Sequence, residues 1–148
     1  MANNTILVVD DEIGIRELLS EILRDEGYHV TLAESAEQAR IWRNKSRPDL
    51  VLLDIWMPDT DGVTLLKEWV SNGLLTMPVV VMSGHGTIAT AVEATRIGAF
   101  GYLEKPVPLQ MLLNTVAQAL RAGKSKFSPT LSLASLGKGP LIADLRKR

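Results

Sequence analysis

Four short, unbroken apolar runs limit what this chain can fold into. They are ILVV at residues 6–9, LVLL at 50–53, VVVM at 79–82 and the less pure FGYL at 100–103, and a fifth, weaker strand candidate covers residues 29–33. Apolar runs of this length without polar alternation are typical of strands that are covered on both faces, as in a parallel sheet. The runs therefore predict a sheet that carries helices on both sides.

Between these runs, apolar residues recur at helical spacing. The clearest pattern ends near Gly27 and consists of Ile15, Leu18, Leu19, Ile22 and Leu23. Further helical patterns cover residues 36–44, 62–72, 87–97 and 109–121. Five repetitions of strand and helix predict a doubly wound α/β domain with a five-stranded parallel sheet. Right-handed crossovers place the carboxyl ends of all strands at one edge, where open parallel sheets bind their ligands.

The charge distribution separates the last part of the chain from the rest. Residues 1–121 contain ten basic and sixteen acidic residues, whereas residues 122–148 contain six basic residues and one acidic residue. An acidic body is a poor match for DNA, so we expect DNA contact only through a C-terminal domain that is missing from this chain. The small and polar segment AGKSKFSPT at 122–130 is typical of a linker. We therefore expect a domain at 4–121, and a linker with the start of an output domain at 122–148.

Composition excludes several classes of protein. The chain contains no cysteine, which excludes disulfides, thiolate metal sites and thiol nucleophiles. No apolar run approaches the roughly 18 residues of a membrane span, and the N-terminus lacks the basic region of a signal peptide. We therefore expect a cytoplasmic protein that makes no membrane contact.

Polar side chains gather where the predicted strands end. They are Asp10 and Asp11 after the first strand, Asp54 after the third, Ser83 after the fourth, and Lys105 after the fifth. Three unpaired carboxylates would raise one another's pKa, and a hard divalent cation relieves that repulsion. Mg²⁺ binds one or two carboxylates, waters and a phosphate oxygen, and Mn²⁺ is the alternative ion. Together with Lys105, such a cation provides the positive charge that phosphoryl transfer requires.

Among these residues, Asp54 is best placed to act as a nucleophile. An aspartate can accept a phosphoryl group as an acyl phosphate. The hydroxyl of Ser83 would then donate a hydrogen bond to a phosphoryl oxygen. The residues alone therefore predict a magnesium-dependent phosphoryl-transfer site with Asp54 as the acceptor.

The same residues carry a resemblance to a known family. The motifs are Asp10-Asp11, Asp54 followed by Met57-Pro58 and Asp61-Gly62, Ser83-Gly84, Tyr102, and Lys105-Pro106. With these motifs, residues 4–121 resemble the receiver domain of bacterial two-component response regulators. SGHGT at 83–87 and GAFGYLEKP at 98–106 are most similar to receivers of the NtrC type, which precede a sigma-54-activating ATPase and a DNA-binding domain. The resemblance implies a flavodoxin-like sheet with strand order 2-1-3-4-5.

The resemblance also implies how phosphorylation would occur. Asp54 would accept a phosphoryl group from a sensor histidine kinase. Asp10, Asp11 and Asp54 would hold Mg²⁺ together with the backbone carbonyl of Trp56. Lys105 would contact the phosphoryl oxygens, and the peptide bond between Lys105 and Pro106 would be cis. The domain would catalyse only its own phosphorylation and dephosphorylation.

A conformational switch is the second implication of the resemblance. The hydroxyl of Ser83 would move toward the phosphoryl group, and the ring of Tyr102 would turn inward into the vacated space. The face formed by the fourth helix, the fifth strand and the fifth helix would then change its contacts, typically by forming a phosphorylation-dependent homodimer. Transcription regulation would follow through the output domain.

Three other functions compete with this interpretation. A pseudo-receiver would serve only as an interaction module. An aspartyl-phosphate hydrolase would need a general acid two residues after its nucleophile, where this chain has Trp56. A flavodoxin-like cofactor binder would need a phosphate loop of Ser, Thr or Gly after the first strand, where this chain has Asp10, Asp11 and Glu12.

Three residues that follow Asp54 have less certain roles. Asp59 and Asp61 are predicted to be turn residues. Trp56 either limits the approach of hydrolytic water to the acyl phosphate, and so lengthens its life, or only covers nearby apolar surface.

Overall fold

The computed structural model describes residues 4–57, 59–84 and 88–125 of the 148-residue chain. Pro58, residues 85–87 and residues 126–148 lie outside the described residues. Most of the segment that is predicted to be a linker and the start of an output domain therefore lies outside them as well.

Strands and helices alternate along the described chain. The elements are β1 (Thr5–Val9), α1 (Ile13–Asp25), β2 (His29–Ala33), α2 (Ala36–Lys45), β3 (Leu50–Asp54), α3 (Gly62–Ser71), β4 (Val79–Ser83), α4 (Ile88–Ile97), β5 (Gly101–Glu104) and α5 (Leu109–Ser125). The strands form one sheet in the order β2-β1-β3-β4-β5, and all neighbouring strands pair in parallel. The predicted fold class and strand order are confirmed.

The apolar run of β3 is explained by the two layers of helices. Val51 and Leu53 pack into a cluster that includes side chains of α2, α3 and α4. Leu50 and Leu52 pack into a second cluster, which includes side chains of α1 and α5. Because all four side chains are fully buried, each contributes roughly 2 kcal/mol of hydrophobic free energy. Apolar residues are thus required on both faces of this strand.

Three strands end one residue later than their apolar runs indicate: β3 at Asp54, β4 at Ser83 and β5 at Glu104. The amide of Ile55 donates to the carbonyl of Met82 (3.1 Å), and the amide of Lys105 donates to the carbonyl of Ser83 (2.6 Å). These bonds continue the sheet ladder past the last apolar residue. Asp54 and Ser83 are therefore the last residues of β3 and β4, so sheet hydrogen bonds fix their backbones.

Helix α5 also continues past its predicted end at residue 121 and reaches Ser125. A Cβ atom on Gly123 would lie 3.0 Å from Cδ of Pro78, so the glycine allows this last turn to pack closely against the start of β4. None of the helices in the described ranges is long and apolar enough to cross a membrane.

Candidate functional site

Three carboxylates meet at the carboxyl edge of the sheet. Asp10 follows β1 and is fully buried, Asp54 ends β3 and is 4% exposed, and Asp11 is exposed. One carboxylate oxygen from each residue lies within 4.8 Å of the other two. The parallel topology produces this cluster, because β1 and β3 are neighbours and end at the same edge.

Among the described residues, Lys105 provides the one ammonium group that contacts these carboxylates. Its Nζ lies 2.9 Å from Oδ2 of Asp10 and 3.2 Å from Oδ1 of Asp54, and 3.8 Å from Oε1 of Glu12. The peptide bond between Lys105 and Pro106 is cis, as the family resemblance implied. The lysine follows β5, whereas Asp10 follows β1, so residues 95 positions apart share a hydrogen bond.

Burial and charge shift the pKa of two groups in the site. Burial, followed by the neighbouring charge of Asp10, raises the pKa of Asp54 to about 6, although Lys105 acts in the opposite direction. Burial disfavours the charged form of Lys105, but its hydrogen bond to Asp10 and the charge of Asp54 outweigh that effect and raise its pKa. Lys105 is therefore an ammonium at neutral pH, and Asp54 ionises around pH 6.

Ser83 lies beside Asp54 at the same edge, because it ends β4, which pairs with β3. The serine is fully buried, and its Oγ has no hydrogen-bond partner among the described residues. An unsatisfied buried hydroxyl costs about 1–3 kcal/mol. An anionic oxygen of a ligand would satisfy this hydroxyl.

The donor set fits a hard divalent cation. Asp10, Asp11 and Asp54 offer oxygen ligands only, and this is the ligand chemistry that Mg²⁺ prefers. One ammonium cannot neutralise three carboxylates, so a bound cation would reduce the repulsion that remains. The three aspartates can therefore hold a metal ion.

The two aromatic residues of the predicted site are both partly exposed to solvent. The side chain of Trp56 is 59% exposed in the loop after β3, and that of Tyr102 is 40% exposed on the edge strand β5. The ring of Tyr102 is thus partly in solvent, as an outward position of the predicted switch would require. Both roles considered for Trp56 stay predictions.

Gly62 is required by the backbone of Asp54. A Cβ atom at Gly62 would lie 2.5 Å from the carbonyl oxygen of Asp54 and 3.0 Å from Cα of Ile55. The amide of Gly62 also donates to the carbonyl of Ile55 (2.7 Å). A side chain at this position would push the peptide group of Asp54, so the Asp61-Gly62 motif has a steric role besides its turn chemistry.

The aspartates at 59 and 61 cap two different helices. Asp61 is the N-cap of α3, and its Oδ1 accepts from the amide of Thr64 (2.7 Å). Asp59 instead accepts from the amides of Ala36 (3.2 Å) and Glu37 (3.0 Å), which begin α2. Burial is the largest single effect and opposes the charged form of Asp59, but its backbone donors together outweigh burial and lower the pKa below the ordinary value. The prediction of two turn residues named neither cap, and the cap made by Asp59 joins residues 23 positions apart.

Similar proteins identify the family. A family model for the response regulator receiver domain matches residues 6–117. An NtrX-like response regulator of Rickettsia conorii is 38% identical over 128 residues, which cover 85% of this chain and 27% of that protein. The DNA-binding transcriptional regulator NtrC of a Bradyrhizobium species is 34% identical over 151 residues, which cover 98% of this chain and 31% of that protein. The chain thus spans less than a third of the length of these two relatives.

A solved structure supports the same relationship. The crystal structure of the receiver domain of NtrX from Brucella abortus matches with a TM-score of 0.74 and 44% identity, and the match covers 78% of this chain and 98% of that domain. These findings confirm the resemblance that the sequence motifs indicated. The chain therefore belongs to the response regulator receiver domain family, with NtrX-like and NtrC regulators among its relatives.

Proposed function

We propose that this domain is a cytoplasmic, phosphorylation-dependent switch of a two-component system. Asp54 accepts a phosphoryl group from a sensor histidine kinase in a Mg²⁺-dependent reaction, and the domain then controls an output domain that regulates transcription. The observation that supports this proposal best is the surroundings of Asp54. Its carboxylate is almost fully buried at the sheet edge, beside one ammonium and two further carboxylates. Burying an ionised group in this way is costly, which favours a chemical role over a structural one.

The reaction needs little chemistry from the protein beyond positioning and charge. An Oδ atom of Asp54 attacks the phosphorus of a phosphohistidine, the P–N bond breaks, and its electron pair returns to the imidazole. Lys105 and the hydroxyl of Ser83 then contact the phosphoryl oxygens. Mg²⁺, held by Asp10, Asp11, Asp54 and the carbonyl of Trp56, would supply positive charge to the transferring group.

The switch would act through the exposed edge of the sheet. Each of the three elements carries a large hydrophobic residue that is more than a third exposed: Val92 on α4 (38%), Tyr102 on β5 (40%) and Met111 on α5 (51%). Apolar side chains in this position support a homodimer that forms through α4, β5 and α5 after phosphorylation. The residues that follow α5 would carry the change to the output domain.

Intact-mass measurement with acetyl phosphate and Mg²⁺ tests the proposal. We expect one added phosphoryl group, which is absent in Asp54→Asn and after addition of EDTA. The matched control is Asp61→Asn, because it removes a nearby carboxylate that contacts no atom of the site in the described structure; it should still gain the group. Gel filtration of both forms then tests dimer formation.

Two outcomes would overturn the proposal in favour of its alternatives. A wild-type protein that gains no phosphoryl group, even from histidine kinases, would be a pseudo-receiver that acts only through contacts. Repeated turnover of an external phosphate ester would instead indicate an aspartyl-phosphate hydrolase, despite the presence of Trp56 where that class has its general acid.

A further inference from the structure

The loop between β3 and α3 contains Trp56 and is held by the sheet and α3 at its ends. At its start, the amide of Ile55 donates to Met82 of β4, and at its end Gly62 donates back to Ile55. Neither bond reaches the middle of the loop. Among the described residues of the middle, Met57 packs against the core, and the hydrogen bonds come from α2, which begins at the same sheet edge because it follows β2.

Asp59 makes the first of these contacts. Its two carboxylate oxygens accept from the amides of Ala36 and Glu37, at 3.2 and 3.0 Å. The third free amide of the helix, that of Gln38, donates to the hydroxyl of Ser35, the helix's own N-cap (3.2 Å). The N-terminus of α2 is therefore capped jointly, by one residue of its own and by one residue of the loop.

The next residue of the loop makes a second contact with α2. Nη2 of Arg40 donates to the hydroxyl of Thr60 (3.1 Å), while its Nε and Nη2 donate to the two carboxylate oxygens of Glu68 on α3, each at 2.9 Å. The guanidinium is thus oriented by a bidentate pair and has little freedom to leave the loop. Two successive loop residues are therefore fastened to one helix.

We propose that Asp59 is a positioning residue for the metal of the phosphorylation site. This inference rests on the proposed function, in which the carbonyl of Trp56 is a metal ligand. Trp56 lies three positions before Asp59 in the loop. Without the Asp59 anchor, the backbone around Trp56 samples more conformations in the metal-free protein, and metal binding must then restrict them.

The test compares two caps of the same helix end. Asp59→Ala and Ser35→Ala each remove hydrogen bonds from the N-terminus of α2, but only the first releases the loop. Mg²⁺ titrations of the 148-residue chain are followed by tryptophan fluorescence, with hydrogen exchange of residues 55–62 as a second, metal-free measurement. We expect Asp59→Ala to raise the Mg²⁺ dissociation constant on the order of tenfold, as is common for residues that orient metal ligands, and to speed exchange in the loop. Ser35→Ala should change neither the Mg²⁺ dissociation constant nor the exchange rate of the loop by more than about twofold.

Asp59→Asn separates positioning from charge. Asparagine removes the negative charge but still offers an oxygen to the amides of α2, so this variant should recover most of the affinity that Asp59→Ala loses. Thr60→Val removes the hydrogen bond from Arg40 without changing the charge, so it should weaken Mg²⁺ binding by a smaller factor than Asp59→Ala. This variant replaces Asp59→Ala in the test if Asp59→Ala does not fold.

Specific results would overturn the inference. Equal affinities in Asp59→Ala and wild type would exclude a positioning role, and an equal loss in Ser35→Ala would mean that general loss of helix stability is responsible. If Asp59→Asn binds as weakly as Asp59→Ala, charge alone is the cause. A wild-type protein that binds no Mg²⁺ would instead refute the proposed metal site, and the inference with it.

Discussion

Replacing Asp54 by asparagine should stabilise the metal-free protein at neutral pH. Burial and the charge of Asp10 raise the pKa of Asp54 from 3.8 to about 6. The folded protein therefore binds this proton more tightly than the unfolded chain, and ionisation of Asp54 opposes folding. The difference between the unfolded and folded pKa values corresponds to at most about 3 kcal/mol at pH values above both, and solvent screening reduces this figure. Asparagine has nearly the same shape and no charge, so it avoids this cost.

The pH dependence follows from the same shift. The pKa of Asp54 is higher in the folded protein than in the unfolded chain. The contribution of Asp54 to stability is therefore most favourable below about pH 4, falls between about pH 4 and 6, and stays constant above about pH 6. The stability difference between Asp54→Asn and wild type should therefore be close to zero at pH 4 and reach up to about 3 kcal/mol at pH 7.5. Millimolar Mg²⁺ should narrow this difference by stabilising the wild type alone.

Urea denaturation in EDTA measures this difference. The fluorescence of Trp69, which is buried in the core, reports unfolding, and equal m-values in the two proteins allow their midpoints to be compared. The matched control is Asp59→Asn. Backbone donors lower the pKa of this exposed carboxyl, so its ionised form does not oppose folding. Removing its charge should therefore not stabilise the folded protein. Equal stabilities of wild type and Asp54→Asn at pH 7.5, or a difference that persists at pH 4, would refute the electrostatic reasoning.

Three further predictions concern glycine and serine positions. Gly62→Ala should lower the free energy of unfolding by about 1–3 kcal/mol, because its Cβ would meet the carbonyl of Asp54. Gly14 lies in the first turn of α1, and no atom lies within 4 Å of an added Cβ, so Gly14→Ala should instead raise the free energy of unfolding by roughly 0.5–1 kcal/mol. Urea denaturation compares the two variants, and a stabilising Gly62→Ala would contradict the steric argument. Ser83→Ala should leave stability unchanged or raise it by about 1 kcal/mol, since the buried Oγ has no partner to lose. It should also slow phosphorylation by acetyl phosphate in an intact-mass time course, and an unchanged rate would exclude the proposed hydrogen bond to the phosphoryl group.

The strands and the location of the site could be predicted because local signals determine both. A strand that is covered on both faces needs consecutive apolar residues, and β3 shows them as an unbroken run. Once the strands are parallel, the polar residues that follow them must meet at one edge. Asp10, Asp54 and Lys105 accordingly lie within hydrogen-bonding or ion-pair distance, although 95 positions separate the first from the last.

The contacts between the β3–α3 loop and α2 could not be predicted in this way. Asp61 has a local capping partner three residues along the chain, at Thr64, which a sequence pattern can indicate. Asp59 has partners 22 and 23 positions earlier, and no periodicity or spacing encodes such a pair. The steric need for Gly62 was hidden for the same reason, because it depends on how closely α3 approaches the end of β3.

Lys105 connects the chemistry of the site to its exposed edge. In the proposed reaction, Asp54 loses its charge on forming the acyl phosphate, and the phosphoryl group brings new negative charge to the same place. The ammonium, 3.2 Å from Oδ1 of Asp54, needs only a small movement to reach it, while its 2.9 Å hydrogen bond to Asp10 keeps it in the site. The backbone amide of Lys105 donates to the carbonyl of Ser83, and Tyr102 lies three residues earlier on β5. The hydroxyl and the ring therefore lie on two directly bonded strands, and Lys105 follows the second of them. A change of contacts at Asp54 on β3 has to cross two strand pairs, β3–β4 and β4–β5, to reach the exposed edge.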